Sequence, residues 1–121
     1  MLDHLSFTVG HYETSKAFYL LALAPLEYKL VYEAEGWAGL GVNGKPDFWI
    51  HQGKPPAPCL HIAFRSLNRA MVDAFYKAAL QAGGKDHGAP GVREMYHPNY
   101  YGAFVLDPDG HNIEAVCHDP Q

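Results

Sequence analysis

Apolar positions along the chain run through one sequence of periods and then run through it again. Near the N-terminus Leu5, Phe7 and Val9 alternate with more polar neighbours, the period-two pattern of a half-buried strand. The period then lengthens to that of a helix over about residues 15–23. Phe18, Leu21 and Ala22 fall on one face, Thr14 or Ser15 supplies the N-cap, and Pro25 ends the run. Short strands follow at about 28–33, 37–42 and 47–52, the last two joined by Asn43-Gly44, a favoured hairpin turn. The second half opens the same way, with Ile62 and Phe64 alternating and Asn68 capping a helix that carries Met71, Ala74, Phe75, Ala78 and Ala79. Gly83-Gly84 ends that helix. Strands are predicted at about 92–96, 102–106 and 112–117, with the turn Asp107-Pro108-Asp109-Gly110 before the last.

The two halves also match residue by residue. His4-Leu5-Ser6-Phe7 returns 57 residues later as His61-Ile62-Ala63-Phe64, and at the same offset Ala17-Phe18-Tyr19 meets Ala74-Phe75-Tyr76. One ungapped offset across two different elements marks a duplicated supersecondary unit. The expected fold is α+β: two tandem βαβββ modules, residues 1–53 and 59–118, within a single domain spanning 1–121. They form a curved mixed-sheet cup with the helices on its outer face. The Pro-rich stretch 54–58 between them is too short for a flexible linker and reads as a stiff connection.

Composition narrows the partners. With a net charge of −4 and nine scattered Lys and Arg, the chain has no basic stripe for nucleic acid. No run of about 18 apolar residues is present to cross a bilayer, and the N-terminus lacks a secretory pattern, so a cytoplasmic protein is expected. Cys59 and Cys117 lack C-x-x-C spacing and read as reduced, ordinary residues.

Eight histidines in 121 residues bring in candidate chemistry. His4 and His61 occupy equivalent strand starts, which duplication would set side by side around a local two-fold axis. Glu114, between apolar Ile113 and Ala115, is a carboxylate whose burial would need a reason. Singly, each residue is more simply a hydrogen-bonded histidine or an edge-strand glutamate. Together, two imidazoles and a carboxylate make a divalent-metal site with open positions, suited to Zn, Ni, Mn or Fe(II). Tyr96, Asn99 and Tyr100, in the loop before the 102–106 strand, could orient a small substrate at the cup mouth, or pack as an aromatic loop or dimer contact. His11, His87, His111 and His118 sit in loop, turn or terminal contexts and are expected to face solvent.

Asp3-His4-Leu5, Lys16-Ala17-Phe18-Tyr19, Leu60-His61-Ile62-Ala63-Phe64 and the ending Asp107-Pro108-Asp109-Gly110-His111-Asn112-Ile113-Glu114 resemble the vicinal oxygen chelate superfamily over essentially the whole chain. The resemblance implies paired βαβββ modules around a metal, in a homodimer whose sites draw on both subunits. It implies His4, His61 and Glu114 as ligands of one divalent metal that takes adjacent oxygens of a small-molecule substrate. Where glyoxalase I carries a fourth ligand, this chain aligns Trp49, a residue that would contact substrate. His51, one alternation away, is the possible fourth ligand. Catalytic roles then fall to Glu114, with His97 and Tyr100 or Tyr101 as acid–base partners. The implied function is a glyoxalase-like metalloenzyme of lyase, isomerase or dioxygenase type. Two alternatives stand beside it: a metal-free sequestration protein of the bleomycin-resistance type, and a thiol transferase of the fosfomycin-resistance type.

Overall fold

The computed structural model describes residues 1–121. The first module consists of β1 (Leu5–Val9), α1 (Tyr12–Ala22), a 3₁₀ turn (Ala24–Leu26), β2 (Lys29–Ala34), β3 (Trp37–Val42) and β4 (Lys45–Gln52). The second consists of β5 (His61–Arg65), α2 (Arg69–Gln81), β6 (Lys85–Val92), β7 (Tyr101–Leu106) and β8 (Asn112–Cys117). Each module forms a four-stranded mixed sheet, ordered β1-β4-β3-β2 and β5-β8-β7-β6. β1 runs parallel to β4 and β5 parallel to β8, the remaining pairs being antiparallel. The duplicated βαβββ unit read from the sequence is therefore the architecture of the chain.

Local signals account for much of this. Asn68 caps α2 by accepting the Met71 N–H at 2.9 Å, and Gly83 leaves the helix at φ +100°. Asn43 and Gly44 both take positive φ, 56° and 74°, as a tight hairpin of this hand requires.

Three elements differ from expectation. α1 begins at Tyr12, ahead of Thr14 and Ser15, and its N-terminal amide is capped from a distance, the Tyr12 N–H donating to Gln52 Oε1 at 2.9 Å. Leu21 lies on the outer face at 58% exposure, while Tyr19 takes the buried position beside Phe18 and Ala22. The sixth strand lies at Lys85–Val92 instead of 92–96. The strand contains Gly88, Pro90 and Gly91 and absorbs them through register shifts at Asp86/Gly88 and Gly88/Gly91. Finally, His111 is fully buried, with no exposure to solvent. It closes the β7–β8 turn, with Nδ1 accepting the Leu60 N–H at 2.8 Å and the ring meeting Phe7 edge-on.

A single core joins the modules. Phe7, Phe48 and Phe64 meet edge to face, with centroids 5.2–5.6 Å apart in the Phe7–Phe48 and Phe48–Phe64 pairs. The Tyr19 hydroxyl of α1 donates to Asp107 Oδ2 of the second module's turn. Asp107 Oδ1 in turn accepts the Asp109 and His111 N–H groups at 3.0 and 2.8 Å. Because α1 also packs on α2, each helix lies between its own sheet and the other module. The opposite face of each sheet carries no helix, and the candidate chemistry sits on these two open faces.

Candidate functional site

On β5 the pleat sends Ile62 and Phe64 toward the core and His61, Ala63 and Arg65 to the open face. On β8 the core-facing Ile113 and Ala115 flank Glu114, whose side chain turns to the same open face as His61. His61 Nε2 and Glu114 Oε1 lie 2.9 Å apart. Glu114 is only 1% exposed, and His61 is its sole ion-pair partner. A carboxylate so placed, without Lys or Arg, is costly unless hydrogen bonds or a cation compensate. One bond comes from Tyr100, whose hydroxyl donates to Glu114 Oε2. Burial first, and then this bond, push the Tyr100 hydroxyl well above the usual tyrosine range, so it stays a donor. Gly102 makes the approach possible: a Cβ there would stand 3.1 Å from the Tyr100 ring and 3.2 Å from Glu114 Oε2. His61, Tyr96, Tyr100, Phe104 and Glu114 line a cavity of about 400 Å³.

The first sheet presents the matching half. His4, Ser6, Trp37, Pro46 and Trp49 line a cavity of about 370 Å³. His4 Nδ1 meets Asp3 Oδ1 at 2.7 Å and leaves Nε2 uncommitted, the pairing that commonly accompanies a metal-binding imidazole. Trp49 lines the same cavity, and its indole offers a metal no lone pair. His51 lies on the same face but is stacked on Trp37, centroids 3.8 Å apart and rings 8° from parallel, outside the residues that line the His4 cavity.

Within one chain, then, the expected donors fall into two halves. His61 and Glu114 are together, His4 lines a separate cavity, and no cluster of three metal-binding side chains forms. The two equivalent strand starts do not face each other inside a single chain, because the modules pack through their helices. Tyr101 points the other way along β7: its hydroxyl donates to Asp73 Oδ1 at 2.6 Å on α2, and Arg69 covers its ring. Its neighbour Tyr100 is the tyrosine beside Glu114. His97 Nδ1 accepts the Asn99 N–H at 3.1 Å and its ring meets His118, so neither His97 nor Asn99 lines the cavity, whereas Tyr96 does. Sequence reasoning missed Asp3, Gly102 and Phe104. Asp3 was detectable as a carboxylate next to a candidate ligand; Gly102 and Phe104 depend on cross-strand register. A further cavity of about 380 Å³ lies between the modules, where Tyr28 and Asp47 are bonded to each other at 3.1 Å and no group of three metal-binding side chains forms.

Comparison with known proteins places these features. The description "Glyoxalase/Bleomycin resistance protein/Dioxygenase superfamily" matches residues 1–115. A glyoxalase/bleomycin resistance protein from Albidiferax ferrireducens has a similar structure, with TM-score 0.80, 24% identity and 98% of each chain covered. A glyoxalase/bleomycin resistance protein/dioxygenase family enzyme from Burkholderia phytofirmans gives 0.75 at 17% identity, again over 98% of each chain. A fosfomycin resistance protein from Mesorhizobium loti gives 0.71 at 22% identity, covering 97% of this chain and 91% of that one. Among curated proteins none matches.

Proposed function

The chain belongs to the Glyoxalase/Bleomycin resistance protein/Dioxygenase superfamily, and on that premise we propose that it is a metal-dependent enzyme acting on a small oxygenated molecule, its sites completed between two copies of the chain. The observation that carries this reading is Glu114, a carboxylate buried to 1% exposure and held between His61 and the Tyr100 hydroxyl, with no Lys or Arg paired to it. A divalent ion would satisfy it, and the donors fit one: two imidazole nitrogens and a carboxylate oxygen suit Zn, Ni, Mn or Fe(II). His61 and Glu114 would hold the ion from one chain and His4 from the other, since each chain presents the two halves on separate open faces.

Bound there, the metal would act as a Lewis acid toward adjacent substrate oxygens on which negative charge develops. The chain's own residues supply the rest. Asp3 orients His4, and Tyr100 fixes Glu114 in one rotamer by donating to the oxygen that faces away from His61. Trp49 and Phe104 bring apolar surface to the two halves and limit water there.

A phosphonate-binding thiol transferase fits less well. No Lys or Arg lines either half, and Arg93, whose guanidinium covers Phe104, donates both terminal nitrogens to the carbonyls of Gly91 and Ala89. Metal-free sequestration, the remaining alternative, makes no use of a buried Glu114.

Metal analysis tests the proposal. Purified protein loaded with Zn, Ni, Mn or Fe(II) should retain about one ion per chain, and His61→Ala should not. A wild-type protein that retains none would overturn the enzyme reading in favour of a binding protein.

A further inference from the structure

Resting on the reading above, we propose that the first sheet's open face is a stacking shelf and that the ligand carries a flat, uncharged, conjugated ring next to its metal-seeking oxygens. The shelf is built from the backbone up. Trp49 lies directly across from Gly39 in the β3–β4 register. A Cβ at Gly39 would stand 2.7, 2.8 and 2.8 Å from Cζ3, Cε3 and Cη2 of Trp49. Three ring atoms at nearly equal distance mean that the indole lies face-down on the strand, a pose only glycine permits opposite it. One π-face is thereby spent on the backbone and the other is left for the cavity.

Trp37 is held in a comparable way. It is stacked on His51 within 8° of parallel, which fixes its plane, and it remains 41% exposed. Tyr32 leans on Trp49 at 5.6 Å and limits its rotation. Two immobilised indoles thus border one cavity with His4, and no Lys, Arg, Asp or Glu lines it. A charged ligand segment would be stranded there, whereas a planar neutral ring gains contact on a face already ordered, with little entropy left to lose. The two halves differ in this respect. The His61 side carries the carboxylate and the phenols, and the His4 side carries flat apolar area, so a ligand spanning both would direct oxygens to one and its ring to the other.

The chain has only two tryptophans, and both belong to the shelf, so fluorine NMR of fluorotryptophan-labelled protein reads it directly. The full-length protein, treated with chelator so that metal plays no part, is titrated with naphthol and with its fully saturated decalin alcohol. The planar alcohol should shift both resonances and bind at least about tenfold more tightly than the puckered one. Trp49→Leu should remove most of that preference, and Gly39→Ala, which forces the indole off the strand, should reduce it too, each checked for folding by circular dichroism. Equal affinity for the two alcohols, no binding of either, or a preference that survives Trp49→Leu would overturn the proposal. Resonances that respond to dilution of the protein but to neither alcohol would assign the face to a second copy of the chain and overturn it as well. Metal retention is measured separately, so a failed shelf and a failed metal site give different results.

Discussion

Tyr100 and Glu114 are joined side chain to side chain across fourteen residues of sequence, the phenol donating to Oε2 while Oε1 faces His61 Nε2 at 2.9 Å. Two different partners therefore divide the carboxylate. Tyr100 occupies one oxygen and sets the rotamer, and the other oxygen, paired with an imidazole nitrogen, is the half that a cation would take.

Removing the phenol hydroxyl tests that division. Tyr100→Phe should fold normally and lower metal affinity by roughly 10–100-fold, the range typical of losing a group that orients a ligand. Glu114→Gln, which removes the ligand's charge, should cost more. Titration with a competing metal indicator measures both, and an unchanged affinity in Tyr100→Phe would show that Glu114 needs no orienting partner.

Gly102 gives a steric version of the same experiment. A methyl group there would press on both Tyr100 and Glu114 Oε2. Gly102→Ala should weaken metal binding while thermal denaturation shows only a small change. A large fall in melting temperature would mean instead that the crowding is relieved through the core.

Gly84 offers the contrasting case, a pure packing position. A Cβ there would lie 2.4 Å from Val105 Cγ1, 2.8 Å from Phe18 Cε1 and 2.9 Å from the Ala79 carbonyl oxygen. Gly84→Ala should destabilise by about 1–3 kcal/mol, read from urea denaturation, with metal affinity per folded chain unchanged. The milder Asn68→Ala, which removes the cap on Met71 N–H, should cost about 1 kcal/mol.

The buried Tyr19–Asp107 contact makes a pH-dependent prediction. Burial holds the Asp107 carboxyl above the ordinary aspartate range, while the Tyr19 hydroxyl bond works in the opposite direction. A raised folded-state value means that Asp107 favours folding most at pH below its unfolded value, and that this contribution is lost as pH rises through the raised one. Tyr19→Phe removes the donor and raises the carboxyl further. The variant's stability deficit should therefore be smallest near pH 4 and grow toward pH 7. Urea denaturation across that range measures it, and a deficit independent of pH would mean that the carboxylate finds another donor.

The fold was legible because the repeat is ungapped and its turns carry strong local chemistry. Asn68, Gly83 and the Asn43-Gly44 pair each act within a few residues, and each does what the sequence implies. What escaped was long-range. α1 starts at Tyr12 because Gln52, forty residues away, caps it. His111 looked like a turn histidine at the surface but is drawn inward by the Leu60 amide and the Phe7 ring. β6 was displaced because its glycines and proline belong to an irregular strand and not to a loop. For the site, strand alternation put His61 and Glu114 on one face correctly. It could not separate Tyr100 from Tyr101, where a step of one residue exchanges the cup for the helix face. Nor could it show that His4 and His61 belong to different half-sites, since that depends on how the modules pack.

Subunit complementation tests the central claim most directly. His4→Ala and His61→Ala should each lose tight metal binding when purified alone. Mixed by refolding together, they should form heterodimers with one site in which His4 from one chain meets His61 and Glu114 from the other, recovering about one ion per heterodimer. Metal that stays bound in His4→Ala alone, or no recovery in a verified heterodimer, would contradict a site shared between two copies of the chain.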